Sequence, residues 1–376
     1  MLVSESLPLR TTRRALTVLA VAAATLAPAV ARADSGMDPT PERLVLQPPN
    51  LPPGQTCQSI AGDPASVVAA GQRPQDFSCA PDNLGFRNYI SEMGFAIAPS
   101  AFHPARTTGV GGFALTVDAS YTRISPGRAS DSGQLYWHNG TRGSVDPNSN
   151  RTSIVNNDPD SILQIYTLKA RKGLPFGFEG VGALGYMANT SLWVVGGDLR
   201  WALMEGFRTG ALGLLPDVSI GGGVRTLTGT SKFYLTTAAV DVKLSKPIPL
   251  ADSAELTVHL GFQRLFIFGD SGVVDSTPNV DPLAQCGWNG VDPQTGAPTC
   301  RNKLPNGADA STDFSNNFTF DRVRLHRNRG LFGLTYRYEF IHLGSQIAFD
   351  ISAPKENPGI VGPRQWTLSF EGGVHF

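Results

Sequence analysis

The pattern of apolar and polar positions in this chain has a period of two, and it is sharpest at the end. In Trp366-Thr-Leu-Ser-Phe-Glu-Gly-Gly-Val-His-Phe376, one face collects Trp366, Leu368, Phe370, Gly372, Val374 and Phe376. The other collects Thr367, Ser369, Glu371, Gly373 and His375. Side chains alternate across a strand, so this is one strand with an apolar face and a polar face. The same alternation recurs upstream. Phe113, Leu115, Val117, Ala119 and Tyr121 alternate with Ala114, Thr116, Asp118, Ser120 and Thr122. Trp193, Val195, Gly197, Leu199, Trp201 and Leu203 alternate with Val194, Gly196, Asp198, Arg200, Ala202 and Met204.

Extended along the chain, the pattern predicts strands near 110–122, 162–171, 176–188, 192–205, 216–228, 232–245, 254–268, 330–340, 343–352 and 366–376. The sixth is expected to end at Lys246-Pro-Ile-Pro249. The seventh is expected to change register at a bulge near Arg264, and the eighth to reach back as far as Phe320. Long polar loops are expected at 125–160, 269–318 and 354–363, with short turns elsewhere. Ten strands place both chain ends on one side. Twelve is the alternative, if 318–343 contains a hairpin turning at Asn328-Arg329-Gly330.

The closing segment resembles the last strand of bacterial outer-membrane β-barrels, which ends in Phe and is read by the insertion machinery. The resemblance implies an all-β, transmembrane, antiparallel up-and-down barrel in the cell outer membrane. Its partners would be outer-membrane lipid and, during biogenesis, the barrel-insertion machinery, with Phe376 as the insertion signal. Composition agrees with this reading: 41 Gly, 20 Phe, 8 Tyr and 16% charged residues, with a mean hydropathy of −0.09. No stretch after the first 33 residues is apolar and long enough for a spanning helix, which leaves the closed barrel as the spanning option.

Residues 1–33 read as a secretory signal peptide. Arg10, Arg13 and Arg14 precede the apolar run Ala15 to Ala31, and Ala31-Arg32-Ala33 is an A-x-A cleavage site. A membrane anchor is the competing reading, weakened by Pro28 and the cleavage pattern. Removing these residues takes away four Arg and one Glu and leaves 27 basic against 30 acidic. That balance gives no footprint for nucleic acid. Residues 34–100 are Pro-rich at first and are expected to form an irregular periplasmic segment. Asp82-Asn83 could cap a short helix over about 84–93 that plugs the barrel or lies under its periplasmic mouth; a surface turn is equally compatible. The barrel itself is assigned to 101–376.

Two constellations could carry chemistry. Cys57 with Cys79, and Cys286 with Cys300, are local pairs outside the predicted sheet, and an oxidising compartment makes two disulfides the natural reading. The predicted lumen-facing charges are Asp118, Lys169, Arg171, Glu179, Asp198, Arg200, Asp241, Lys243, Arg337, Glu339, Asp350 and Glu371. In a narrow bore these opposite charges would pair into a stiff, sealed lumen, or line a selective passage. His259, His342 and His375 face the same way with no nucleophile at legible spacing, so catalysis has little support. No cofactor or metal site is expected. The function reading is therefore passage or binding of a small amphipathic or hydrophobic solute. The architecture is similar to that of the fatty-acid-type outer-membrane transporters, although their Gly-rich hatch motif is missing. A structural or surface-interaction barrel with a closed, salt-bridged lumen is the alternative, and an outer-membrane hydrolase is third.

Deletion of Phe376 is expected to impair assembly in cells. The check is the yield of heat-modifiable barrel on gels, and a normal yield would contradict the role given to this residue.

Overall fold

The computed structural model describes residues 37–46, 80–125, 137–142, 156, 160–206, 215–251, 253–275, 287–296, 298–303, 317–351 and 364–376. The signal peptide, most of the Pro-rich segment, Cys57, Cys79, Cys286 and most of the three long loops lie outside them. The described chain forms one closed barrel of ten antiparallel strands. In chain order these are β1 Phe113–Arg123, β2 Ile162–Gly173, β3 Phe178–Met187, β4 Trp193–Met204, β5 Asp217–Thr228, β6 Phe233–Ala251, β7 Ala254–Ser271, β8 Val323–Tyr338, β9 Ile341–Asp350 and β10 Trp366–His375. Each strand pairs with its sequence neighbour, and β10 closes onto β1. Phe376 and Phe113 exchange backbone bonds of 2.8 and 3.0 Å at the seam. Among the described residues no helix is long and apolar enough to cross a membrane.

Period-two alternation fixes which face is which. Along β4, Trp193, Val195, Leu199, Trp201 and Leu203 are exposed on the outer wall, while Val194, Arg200 and Ala202 are buried within. Exposed large apolar side chains on every strand form the lipid-facing belt. Aromatic pairs bracket it: Phe178 stacks on Trp201 at 5.6 Å near one end, and Tyr186 meets Trp193 at 5.2 Å near the other. The end carrying Phe113 and Phe376 is called the near end below, and the opposite end, where the long loops attach, the far end.

Four expectations need correction. β6 runs through Lys246-Pro-Ile-Pro249 to Ala251, because an extended chain accommodates these prolines at the end of the sheet. β7 has no bulge at Arg264: pairing to both neighbours is continuous through Gln263, Arg264 and Leu265. The apparent register change arises because Leu265 and Ile267 are apolar yet face inward, where they are fully buried. β8 begins at Val323 and contains Asn328-Arg329-Gly330 in mid-strand, paired on both sides, so the count is ten and not twelve. Glu339 is not in the lumen. It occupies the β8–β9 turn at φ 51° and is exposed.

A helix, α1 (Asn83–Ile97), lies inside the barrel. Asp82 caps it as expected, accepting a 2.8 Å bond from the Gly85 amide. It is longer than the residues 84–93 expected, because Gly94, Phe95, Ala96 and Ile97 continue the buried run. Its apolar side chains point outward all round, into the wall of the barrel. The wall makes room with glycine at the points of closest approach. A Cβ on Gly94 would lie 2.5 Å from Ile267 Cγ2, and one on Gly269 would lie 2.6 Å from Ile90 Cγ2.

Leu199→Arg places a charge on the lipid-facing wall. It should destabilise the folded barrel by roughly 2–4 kcal/mol if the position is near mid-bilayer, measured by reversible denaturant unfolding in lipid vesicles.

Candidate functional site in the barrel lumen

The lumen has two levels of different chemistry. The far half is apolar. Phe86, Tyr89, Ile90, Met93, Ala96 and Ile97 of α1 form one core with Leu163, Ile165, Met187, Val194, Leu227, Leu235, Ile267 and Leu325 of the wall. Trp137 and Phe233 join it from the far end, with ring centroids 5.0 and 5.7 Å from Tyr89. Phe86 stacks on Phe320 at 4.4 Å. The far half is thus packed around α1 in the manner of a protein core.

The near half is polar, and the chain itself runs through it. From Ala98 to Gly112 the backbone has no regular structure, so its amides and carbonyls have no ladder to satisfy them. Side chains of the wall supply the partners. Gln263 and Arg329 both donate to the Pro99 carbonyl, and Gln346 donates to that of Ser100 at 2.7 Å. Lys243 donates to the His103 carbonyl at 2.9 Å. Arg200 donates to the carbonyls of Pro104 and Arg106. In the other sense, the Ala105 amide donates to Ser245 Oγ at 3.0 Å, the Thr107 amide to Glu205 at 2.8 Å, and the Thr108 amide to Glu179 at 2.8 Å. Cations meet carbonyls, and carboxylates or a hydroxyl meet amides, along the whole strap.

The wall charges that do not end on the strap end on one another. Lys169 bridges Asp118 and Glu371, and His342 Nε2 lies 3.0 Å from Glu371. Glu179 receives Arg171 at 3.1 Å and Arg200 at 2.5 Å. Arg225 binds both oxygens of Asp198 at 2.7 and 2.8 Å. Arg327 binds Asp350 and Gln365 and packs 4.5 Å over the Phe95 ring. Asp118, Lys169, Arg171, Glu179, Arg200, Lys243, Asp350 and Glu371 are therefore buried and partnered, and Asp241 is buried among them. Arg337 faces the near mouth, half-exposed, 3.8 Å from Glu255. Cys300 is buried beside its short hairpin, and the disulfide pairings expected from the sequence involve residues outside those described.

Arg225, Arg327, Arg329, Glu92 and the strap residues were not picked out from the sequence. The two β8 arginines share the inward parity of Gly333 and Thr335, so carrying the alternation ten residues upstream of Arg337 would have found them. Nothing in the sequence pattern announces that residues 98–112 are their partners.

What space remains between strap and wall is small, although a hollow of about 330 Å³ opens at the far mouth between Asn83, Arg87 and Arg324. Cavities of about 70 Å³ at the near mouth and about 30 and 10 Å³ higher up are left between strap and wall among the described residues. Sites for small ligands enclose roughly 300–1,000 Å³. The larger apolar hollow, between Phe178, Leu199, Trp201, Ile220, Val240 and Phe262, is on the outer wall. His259 is hydrogen-bonded to Gln346 at 3.2 Å, with no nucleophile between them. Among the described residues no group of His, Cys, Asp and Glu is placed to hold a metal ion.

No family model and no curated protein matches this chain. Among solved structures, the translocator domain of the autotransporter NalP from Neisseria meningitidis has a TM-score of 0.30 at 9% identity, covering 85% of this chain and 99% of that one. LpxR from Salmonella typhimurium scores 0.26 at 10% identity, covering 69% and 99%. Ail, the attachment invasion locus protein of Yersinia pestis, scores 0.22 at 8% identity, covering 71% and 99%. The fold is that of a bacterial outer-membrane β-barrel. Its closed sheet and continuous apolar belt place it in the outer membrane, in contact with lipid.

Glu179→Gln removes the carboxylate that both Arg171 and Arg200 bind. Removing one partner of a buried pair typically costs about 3–5 kcal/mol. The temperature at which the folded gel band converts to the unfolded one should fall clearly; an unchanged temperature would show that this cluster does not stabilise the barrel.

Proposed function

We propose that this protein is a closed outer-membrane barrel that acts through its far-end surface and not by passing solute. Of the two functions weighed from sequence, the geometry favours the structural or surface-interaction barrel over the carrier of a small amphipathic molecule. The observation that carries this reading is the strap. The lumenal charges that could have lined a passage are taken up in holding residues 98–112 or in pairing with one another, and α1 fills the half above them. A mixed-sign network already paired within itself also lacks the single-sign ring that selects ions. The long loops, and the residues packed among them, are then the surface available to a partner.

Planar-bilayer recording tests this directly. The intact mature chain should show no steady conductance. A variant lacking residues 83–108, with its barrel shown to be folded by heat-modifiability, should open stable pores. Steady pores from the intact chain would overturn the closed-lumen reading.

A further inference from the structure

The path of the chain ahead of β1 has a consequence for where the N-terminal segment resides. Residues Met37 to Leu46 pack against the far end only. The Thr40 amide donates to the Gly140 carbonyl at 2.7 Å, and the Arg142 amide to the Asp38 carbonyl at 2.7 Å, both on the β1–β2 loop. Asp38 accepts from the Ser191 amide in the β3–β4 turn at 2.8 Å. Glu42 pairs with Lys232 in the β5–β6 turn at 2.5 Å. Arg43 reaches the Thr141 carbonyl. Burial there lowers its guanidinium to about 10. Val45–Leu46 pairs with Ala80–Pro81, and the Asp82 amide bonds the Leu44 carbonyl at 2.8 Å. Asn83, at the start of α1, accepts from the Asp321 amide just before β8, again at the far end.

From Asn83 the chain only descends. Gly94 meets Thr237 of β6; Pro99 meets Gln263 and Arg329 at mid-height; Thr107 and Thr108 meet Glu205 and Glu179 near the other mouth. The Gly112 carbonyl then accepts from the Gly173 amide at the near end of β2, where β1 begins. The chain crosses the full lumen once between Pro81 and Phe113. In outer-membrane barrels the short turns are periplasmic and the long loops extracellular. The connections at the near end here are 174–177, 205–216, 252–253 and 339–340, whereas the far end carries the short turns 188–192 and 229–232 together with the three longest connections, 124–161, 272–322 and 351–365. Residues 37–46 and 80–82 sit at the end that carries the long loops, so the expectation of a periplasmic segment over 34–100 conflicts with that rule.

We infer that residues 37–46 and 80–81 are displayed on the cell surface, on the N-terminal side of a chain threaded through the lumen of its own barrel and anchored there by α1 and the strap. The lumen is thus the path of a polypeptide, not of a solute. The ligand of the polar wall is a stretch of irregular backbone, and the surface-active face gains a segment that the sequence alone assigned to the other side of the membrane. This deepens the closed-barrel reading by naming what that face presents. It does not depend on conductance: a leaky barrel could still display the segment, and a sealed one could be shown not to.

The test uses the full chain in cells, with an epitope inserted at one of three points. The first follows Leu46, which is exposed at the end of its short ladder. The second follows Gly296, in the exposed hairpin between β7 and β8. The third follows Gly206, in the near-end connection of β4 to β5. Antibody should label the first two on intact cells to the same level, and the third only after permeabilisation. Labelling of the Leu46 insertion only after permeabilisation, with the Gly296 insertion exposed, overturns the inference. Exposure of the Gly206 insertion with the other two hidden also overturns it. Where an insertion prevents folding, proteinase K treatment of intact cells carrying the unaltered chain gives a second readout. It should yield a barrel fragment whose new N-terminus lies ahead of Asn83. Cleavage in the β7–β8 loop with the N-terminal segment left whole would contradict the placement.

Discussion

A polypeptide backbone cannot cross hydrocarbon, or fill a dry lumen, with its amides and carbonyls unpaired. That one constraint shapes this protein twice. In the wall it forces the sheet to close, so that Phe376 pairs with Phe113 and no strand edge is left open. In the lumen it applies to a second stretch of chain, residues 98–112, that has neither helix nor sheet to satisfy it. There the answer is chemical and not architectural: arginine, lysine and glutamine of the wall donate to carbonyls, and glutamate and serine accept from amides.

The two levels of the lumen follow from the same economy. Where the threading chain is helical, its backbone is satisfied internally, and the wall can be apolar: Leu163, Met187, Leu227 and Ile267 pack directly on Phe86, Ile90 and Met93. Where it is irregular, the wall must be polar. The switch from Ile267 and Leu265 to Gln263 and His259 along β7 coincides with the end of α1 and the start of the strap. The change of inward character that looked like a bulge in the sequence is the imprint of a change of secondary structure in the occupant.

The wall was legible because alternation is an intrinsic property of a strand, and hydrocarbon enforces it with little exception. Ten strands, their order and most outward positions follow from it; Glu339 departs from it because a strand end is set by the turn at Tyr338–Ile341 and not by parity. What the charges do was not legible. Parity says that Lys243 faces in, but only the fold shows that it reaches the carbonyl of His103, 140 residues earlier. The side of the membrane on which the N-terminal segment sits was likewise hidden. Threading leaves no local mark in composition, and a Pro-rich stretch reads the same on either face.

The claim on which this account rests is that the strap is held, hydrogen-bonded, inside the barrel. Residue-resolved amide hydrogen exchange of the folded protein in micelles measures it most directly. The amides of Ala105, Thr107 and Thr108 should be protected to nearly the same degree as those of β1 and β2. Exchange of these amides as fast as those of the exposed hairpin around Gly290 would show that the segment is not bound in the lumen, and would contradict the account.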